Sequence, residues 1–136
     1  MGKYLNLKDD IYSIFDSAAW KAENITTHPG NFNGAVTGNY IRVSIIPSSS
    51  PEANPLISSS GQLLIDIFVE AGKGFLEAYI IADILDSYLS GKSVSTVSGN
   101  STQFSSSALT EQGIDPDNKS LYRFKYSIPF NYFGVN

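Results

Sequence analysis

His28 is the chain's one imidazole, and beside any of its serines it would supply the base of a nucleophilic hydrolase. No Gly-x-Ser-x-Gly elbow or other nucleophile context accompanies it. Set in Thr26-Thr27-His28-Pro29-Gly30-Asn31, His28 reads as a solvent-exposed loop residue. Two carboxylate pairs, Asp66 with Glu70 and Asp83 with Asp86, have the residue types that cleave glycosidic bonds. Their spacing puts the first pair on one strand face and the second on one helix turn, where carboxylates are solvated or paired with Arg42 or Lys73 across the surface. Gly91-Lys92-Ser93 matches the end of a phosphate-binding loop, yet Asp86 stands where that motif needs Gly. The tripeptide also follows a helix instead of opening one, so Gly91 reads as a helix-ending glycine. Gly72-Lys73-Gly74 lies between a strand and a helix, a place that can cradle an anion, and reads first as a turn.

Composition closes further routes. Cys is absent, which excludes thiol nucleophiles, iron-sulfur clusters and cysteine zinc sites, and one His leaves no multi-histidine metal site. No catalytic, cofactor-binding or metal residue is expected, and no cofactor. The 9 Lys and Arg against 13 Asp and Glu give a net charge of −4, which argues against a broad grip on nucleic acid phosphates. Charged residues make up 16% of the chain, below the roughly one quarter usual in soluble domains, and such a surface points to association. No apolar run approaches the roughly twenty residues of a membrane span, and Met1-Gly2-Lys3-Tyr4 starts no signal-peptide stretch, so cytosolic synthesis is the expectation.

The elements that would position these residues follow from periodicity. Leu7, Ile11, Ile14, Phe15 and Ala18 share one helical face, predicting a helix over 7–19 with Asn6 as N-cap. Ile41, Val43 and Ile45 alternate with polar residues along a strand that ends at Pro47. A second strand over 62–70 carries Leu63, Ile65, Ile67 and Val69 on one face, and pairs antiparallel with the first. Between them the Ser- and Pro-rich stretch 47–60 reads as a long flexible loop. Over 75–89, Ala78, Ile81, Ile84, Leu85, Tyr88 and Leu89 form a core stripe, while Leu76, Tyr79 and Ile80 form a second apolar stripe with no cover of its own. A further strand is expected near 103–109. The last, over 121–130, sets Tyr122, Phe124, Tyr126, Ile128 and Phe130 opposite Arg123 and Lys125, so the aromatics are buried and do not stack bases. The expected fold is α+β, one domain over 1–136 with a mainly antiparallel sheet of about four strands packed against two helices. Ile41, Val43, Leu63, Ile65, Ile67, Ile81, Leu85, Phe124 and Ile128 are its expected core.

The order of these elements resembles the tail terminator proteins of long-tailed bacteriophages. The resemblance is carried by Tyr40 to Leu89: a strand closing in Pro47, a long loop, a second strand, the turn Ala71-Gly72-Lys73-Gly74, and an apolar helix with Ala82-Asp83. It implies a virion protein at the tail-neck junction, made in the host cytoplasm and without catalytic activity. Such a protein forms a ring, usually a hexamer, that sits on the tail tube, ends its polymerisation and offers a surface to head-completion or neck proteins. DNA would pass through the lumen without specific binding, and no membrane is involved. Pro47, Pro51, Pro55, Leu56, Ile57, Leu76, Tyr79 and Ile80 are the expected subunit or partner contacts. Two rival readings use the same residues: a small hydrolase built on His28 and the carboxylates, and a carbohydrate- or protein-binding module of a surface structure.

Overall fold

The computed structural model describes residues 3–30, 38–47, 57–73, 75–96, 99–116 and 119–134. Among the described residues run three helices, α1 (Lys3–Phe15), α2 (Ala18–Lys21) and α3 (Leu76–Leu89), and seven strands. The strands are β1 (Thr27–Pro29), β2 (Tyr40–Pro47), β3 (Ile57–Glu70), β4 (Ser93–Val94), β5 (Ser101–Phe104), β6 (Ala108–Ile114) and β7 (Leu121–Gly134). The α+β class stands, with seven strands in place of about four.

One sheet holds them in the order β1-β2-β3-β7-β5-β4, with β6 also hydrogen-bonded to β7. Every pairing is antiparallel except β1 with β2. Register follows the alternation of the sequence, because a slip by one residue would turn every apolar side chain to the wrong face. Ile41, Ile67 and Phe124 lie side by side across three strands, followed by Val43, Ile65 and Tyr126. These rows face α1 and α3 in one core, and all nine expected core residues are buried. Each aliphatic side chain so buried contributes about 2 kcal/mol of transfer free energy. The opposite, open face carries Arg42, Asp66 and Lys125 in one row.

Three departures from the periodic reading have local causes. The stretch expected as a single strand over 103–109 is two strands, both on β7. Ser105 donates its N–H to the Pro129 carbonyl at 3.0 Å, so Pro129 turns toward this edge the side on which it lacks an N–H. The ladder breaks there, β5 ending at Phe104 and β6 starting at Ala108. The loop expected over 47–60 is shorter, since Pro47 closes β2 and 57–60 begin β3, where Ile57 pairs with Gly134. Residues 48–56 lie outside the described residues. Gly61 continues that strand because a Cβ there would collide with the Ile46 carbonyl and press on the Phe130 ring.

The third departure is the first helix, which spans Lys3–Phe15 instead of 7–19. Ser17 ends it by competing for backbone partners. Its hydroxyl donates to the Ile14 carbonyl at 2.7 Å and accepts from the Trp20 N–H at 3.2 Å, capping α2. The bend carries Trp20 into the core, edge-on to Phe15 and Tyr88, with its indole N–H donating to Thr27 Oγ at 3.0 Å. Asn6 is therefore not an N-cap. It is buried inside α1 and hydrogen-bonds the Tyr132 side chain.

Asp10, fully buried on the same helix, fastens α1 to the sheet. One carboxylate oxygen accepts from the Thr96 N–H at 2.9 Å and its hydroxyl at 2.7 Å, and the other accepts from the Thr102 hydroxyl at 2.8 Å. A buried carboxylate persists only with such donors, and removing it strands three of them. Asp10→Ala is expected to cost about 3 kcal/mol in chemical denaturation and to raise amide exchange first in 93–104.

Candidate functional site

Four of the nine exposed large hydrophobics among the described residues, Phe75, Leu76, Tyr79 and Ile80, lie on helix α3 or at its start. Ala78, Ile81, Ala82, Leu85 and Leu89 seat it on the sheet. On the other side Leu76, Tyr79 and Ile80 are 72%, 48% and 47% exposed, and the adjoining Phe75 is exposed too. Phe75 lies 5.4 Å from the Tyr122 ring and 5.6 Å from Phe124, and Tyr79 lies 5.9 Å from Phe124, so the stripe grows out of the aromatic edge of the core. Contiguous exposed apolar patches are, in general, where proteins meet partners.

The helix carrying it is held at both ends. At its start the Asn39 amide donates to the Glu77 carboxylate, while the Asn39 carbonyl oxygen accepts from the Glu70 N–H at 3.1 Å. Near its end Asp86 accepts from the Tyr126 and Ser107 hydroxyls, each at 2.6 Å. Gly91 follows with φ +69°, the left-handed turn expected of a helix-ending glycine. The exposed stripe is thus displayed on a fixed scaffold.

The carboxylates proposed as chemical pairs are not brought together. Asp66 sits on the open face between Arg42 at 3.1 Å and Arg123 at 3.6 Å, with the Arg42 guanidinium 5.3 Å over the Phe68 ring. Glu70 pairs with Lys73 at 2.8 Å, four residues away along the strand, about 13 Å from Asp66. Asp83 is exposed, whereas Asp86 is taken up by Tyr126 and Ser107. His28 is on the edge strand β1 and not in a loop; it is half-buried with its ring 5.8 Å from Tyr40. Gly72 turns with φ +83° between β3 and α3. Among the described residues no cluster of three His, Asp or Glu could hold a metal ion. No helix among them is long and apolar enough to cross a membrane.

Of the other expected contact residues, Pro47 is exposed at the end of β2 and Ile57 opens β3, while Pro51, Pro55 and Leu56 lie outside the described residues. Periodicity gave no notice of a groove of about 460 Å³ on the open face, lined by Ile46, Gln62, Leu64, Pro129 and Asn131 among others. Gln62 lies opposite Ile46 and Pro129 there, so three strands contribute to it.

No family model matches the chain, and no curated protein matches it. Solved structures do. One chain is 16% identical over 92% of this chain and 94% of its own length, with a TM-score of 0.67. A chain from the virion of a native gene transfer agent particle is 15% identical over 95% of this chain and 96% of its own, with a TM-score of 0.65. At such identities the likeness establishes a shared fold that runs nearly end to end.

The Asp86 anchor has a pH signature. Burial, then the hydrogen bond to Asp86, raises the Tyr126 hydroxyl well above its ordinary value of 10.0. A phenol raised in the folded state lends stability that is complete below pH 10 and drains away as pH climbs toward the folded value. Alkaline unfolding of the wild type should therefore steepen above about pH 10, and Tyr126→Phe should flatten that slope in denaturation curves from pH 9 to 12.

Proposed function

We propose that this chain is a structural virion protein of a phage-like particle, and that it caps the tail tube as a closed ring, most simply a hexamer, at the tail-neck junction. The observation that carries the virion role is the end-to-end likeness to a chain of the gene transfer agent virion. The capping role adds the order of elements from Tyr40 to Leu89 and the uncovered stripe of α3. A growing tube offers each new ring unsatisfied edges and apolar patches, and a cap must bury them while offering a different face to head-completion or neck proteins. A rigid apolar helix face suits the first task. A net charge of −4 suits a lumen through which DNA passes without sticking.

On this reading the protein does no chemistry. Of the four carboxylates weighed for a hydrolase, Asp66 is held by two arginines and Asp86 by Tyr126 and Ser107, Glu70 pairs with Lys73, and Asp83 is exposed. His28 belongs to the sheet edge beside Tyr40.

A complementation assay tests the role. Replacing 48–56 by a short Gly-Ser linker, or Leu76 and Ile80 by Ser, should leave the isolated chain's stability within about 0.5 kcal/mol and yield overlong or headless tails. His28→Ala should yield normal particles. Normal virions from the linker variant would sink the assignment of Pro51, Pro55 and Leu56 as partner contacts, and a wild-type chain that stays monomeric both at high concentration and on tail tubes would sink the capping reading.

A further inference from the structure

The two sides of the sheet differ in charge and in relief, and the difference is complementary. On the helix side the outward stripe of α3 runs Leu76, Ile80, Asp83: two exposed aliphatic side chains followed by an exposed carboxylate. On the open side three rows cross β2, β3 and β7 in the same order of character. The first, Ile46, Gln62 and Pro129, lines the groove of about 460 Å³ and includes a half-exposed isoleucine. The second is Ser44, Leu64 and Ser127. The third is Arg42, Asp66 and Lys125. Arg123 lies one row further on; Asp66 lies between it and Arg42, while Lys125 is the cation of the third row that forms no ion pair among the described residues.

Spacing agrees as well as character. At 1.5 Å per residue, Ile80 and Asp83 stand about 6 and about 10 Å along α3 from Leu76. At about 3.4 Å per residue, the second and third rows stand about 7 and about 14 Å from the first. Leu76 laid in the groove therefore brings Ile80 over Leu64, and the flexible four-carbon stem of Lys125 spans the few ångströms left to Asp83.

We propose that the outer face of α3 in one copy docks on the open sheet face of the next, with Leu76 and Ile80 in the Ile46–Leu64–Pro129 groove and Asp83 paired with Lys125. The contact joins opposite sides of the molecule, so it is heterologous, and repetition gives a ring if the rotation closes. It rests on the assembly proposed above and names both halves of the subunit contact. The seat sets Ile46, Leu64 and Pro129 among Gln62, Ser60 and Asn131, with a charged pair at one rim, so the aliphatics supply area and the pair fixes direction.

Charge exchange tests it in the full chain, with sedimentation velocity as the readout and thermal unfolding as the check on folding. Asp83→Lys and Lys125→Glu should each weaken assembly at least tenfold, and the double variant should regain most of it. Rings that form equally well in both single variants would overturn the docking geometry while leaving the ring standing, and would mean that another partner covers α3. Failure of the double variant to recover, with both singles folded, would also overturn it. A wild-type chain that never assembles, alone or on tail tubes, would remove the ring reading and this contact with it.

Discussion

Everything in this fold is hung on the pairing of β3 with β7, fourteen residues in unbroken antiparallel register from Ile57 opposite Gly134 to Glu70 opposite Leu121. Two strands of that length are unusual against a typical strand of five or six residues. Their alternation fixes two faces at once. Ile65, Ile67, Phe124, Tyr126 and Ile128 can reach the helices only if Asp66, Arg123, Lys125 and Ser127 point away from them. β2 extends the ladder on one side, and β5 and β6 share the other side of β7, divided by the missing N–H of Pro129.

The helices are fastened to that sheet by polar groups as well as by the core. Asp10 fixes α1 to the segment from Thr96 to Thr102, and Asp86 fixes α3 to Ser107 and Tyr126. In both cases a carboxylate that might suggest chemistry is saturated by hydroxyl donors from a different element, and its value is geometric. Hydrophobic burial is non-directional and would tolerate some sliding of a helix across a sheet, whereas hydrogen bonds of 2.6 to 2.9 Å to named hydroxyls and an N–H would not. The exposed stripe of α3 is consequently held in one orientation with respect to the strands beneath it.

What could be read from the sequence and what could not divide along the reach of periodicity. β2, the second half of β3, α3 and β7 each show several turns of one period, so their type and buried face follow from the pattern. β1 and β4, of three and two residues, are too short to show any period. The first residues of β3, Ile57-Ser58-Ser59-Ser60-Gly61, lack apolar alternation, and their pairing is specified instead by the long partner strand through Phe130 and Tyr132. Asn6 and Asp10 look like helix-start residues locally, and only partners far along the chain, Thr102 being 92 residues from Asp10, make them interior. At the candidate site the uncovered stripe of α3 was legible because too many of its positions are apolar for one face, while the groove is lined by residues of three strands, with Gln62 opposite Pro129 and Ile46, that no single period brings together.

The same alternation decides what kind of assembly the chain can enter. A two-fold contact would set one patch against its own copy, so that α3 with Glu77 and Asp83 would face a second α3. Like charges brought together in a drying interface are costly. Contact between unlike sides avoids that cost and uses the apolar stripe in the same step. A chain joined in this way has a head and a tail at every junction, so the assembly inherits a direction and two non-equivalent faces. On the proposed reading, a directional contact of this kind would supply the two non-equivalent faces that a cap between different neighbours requires.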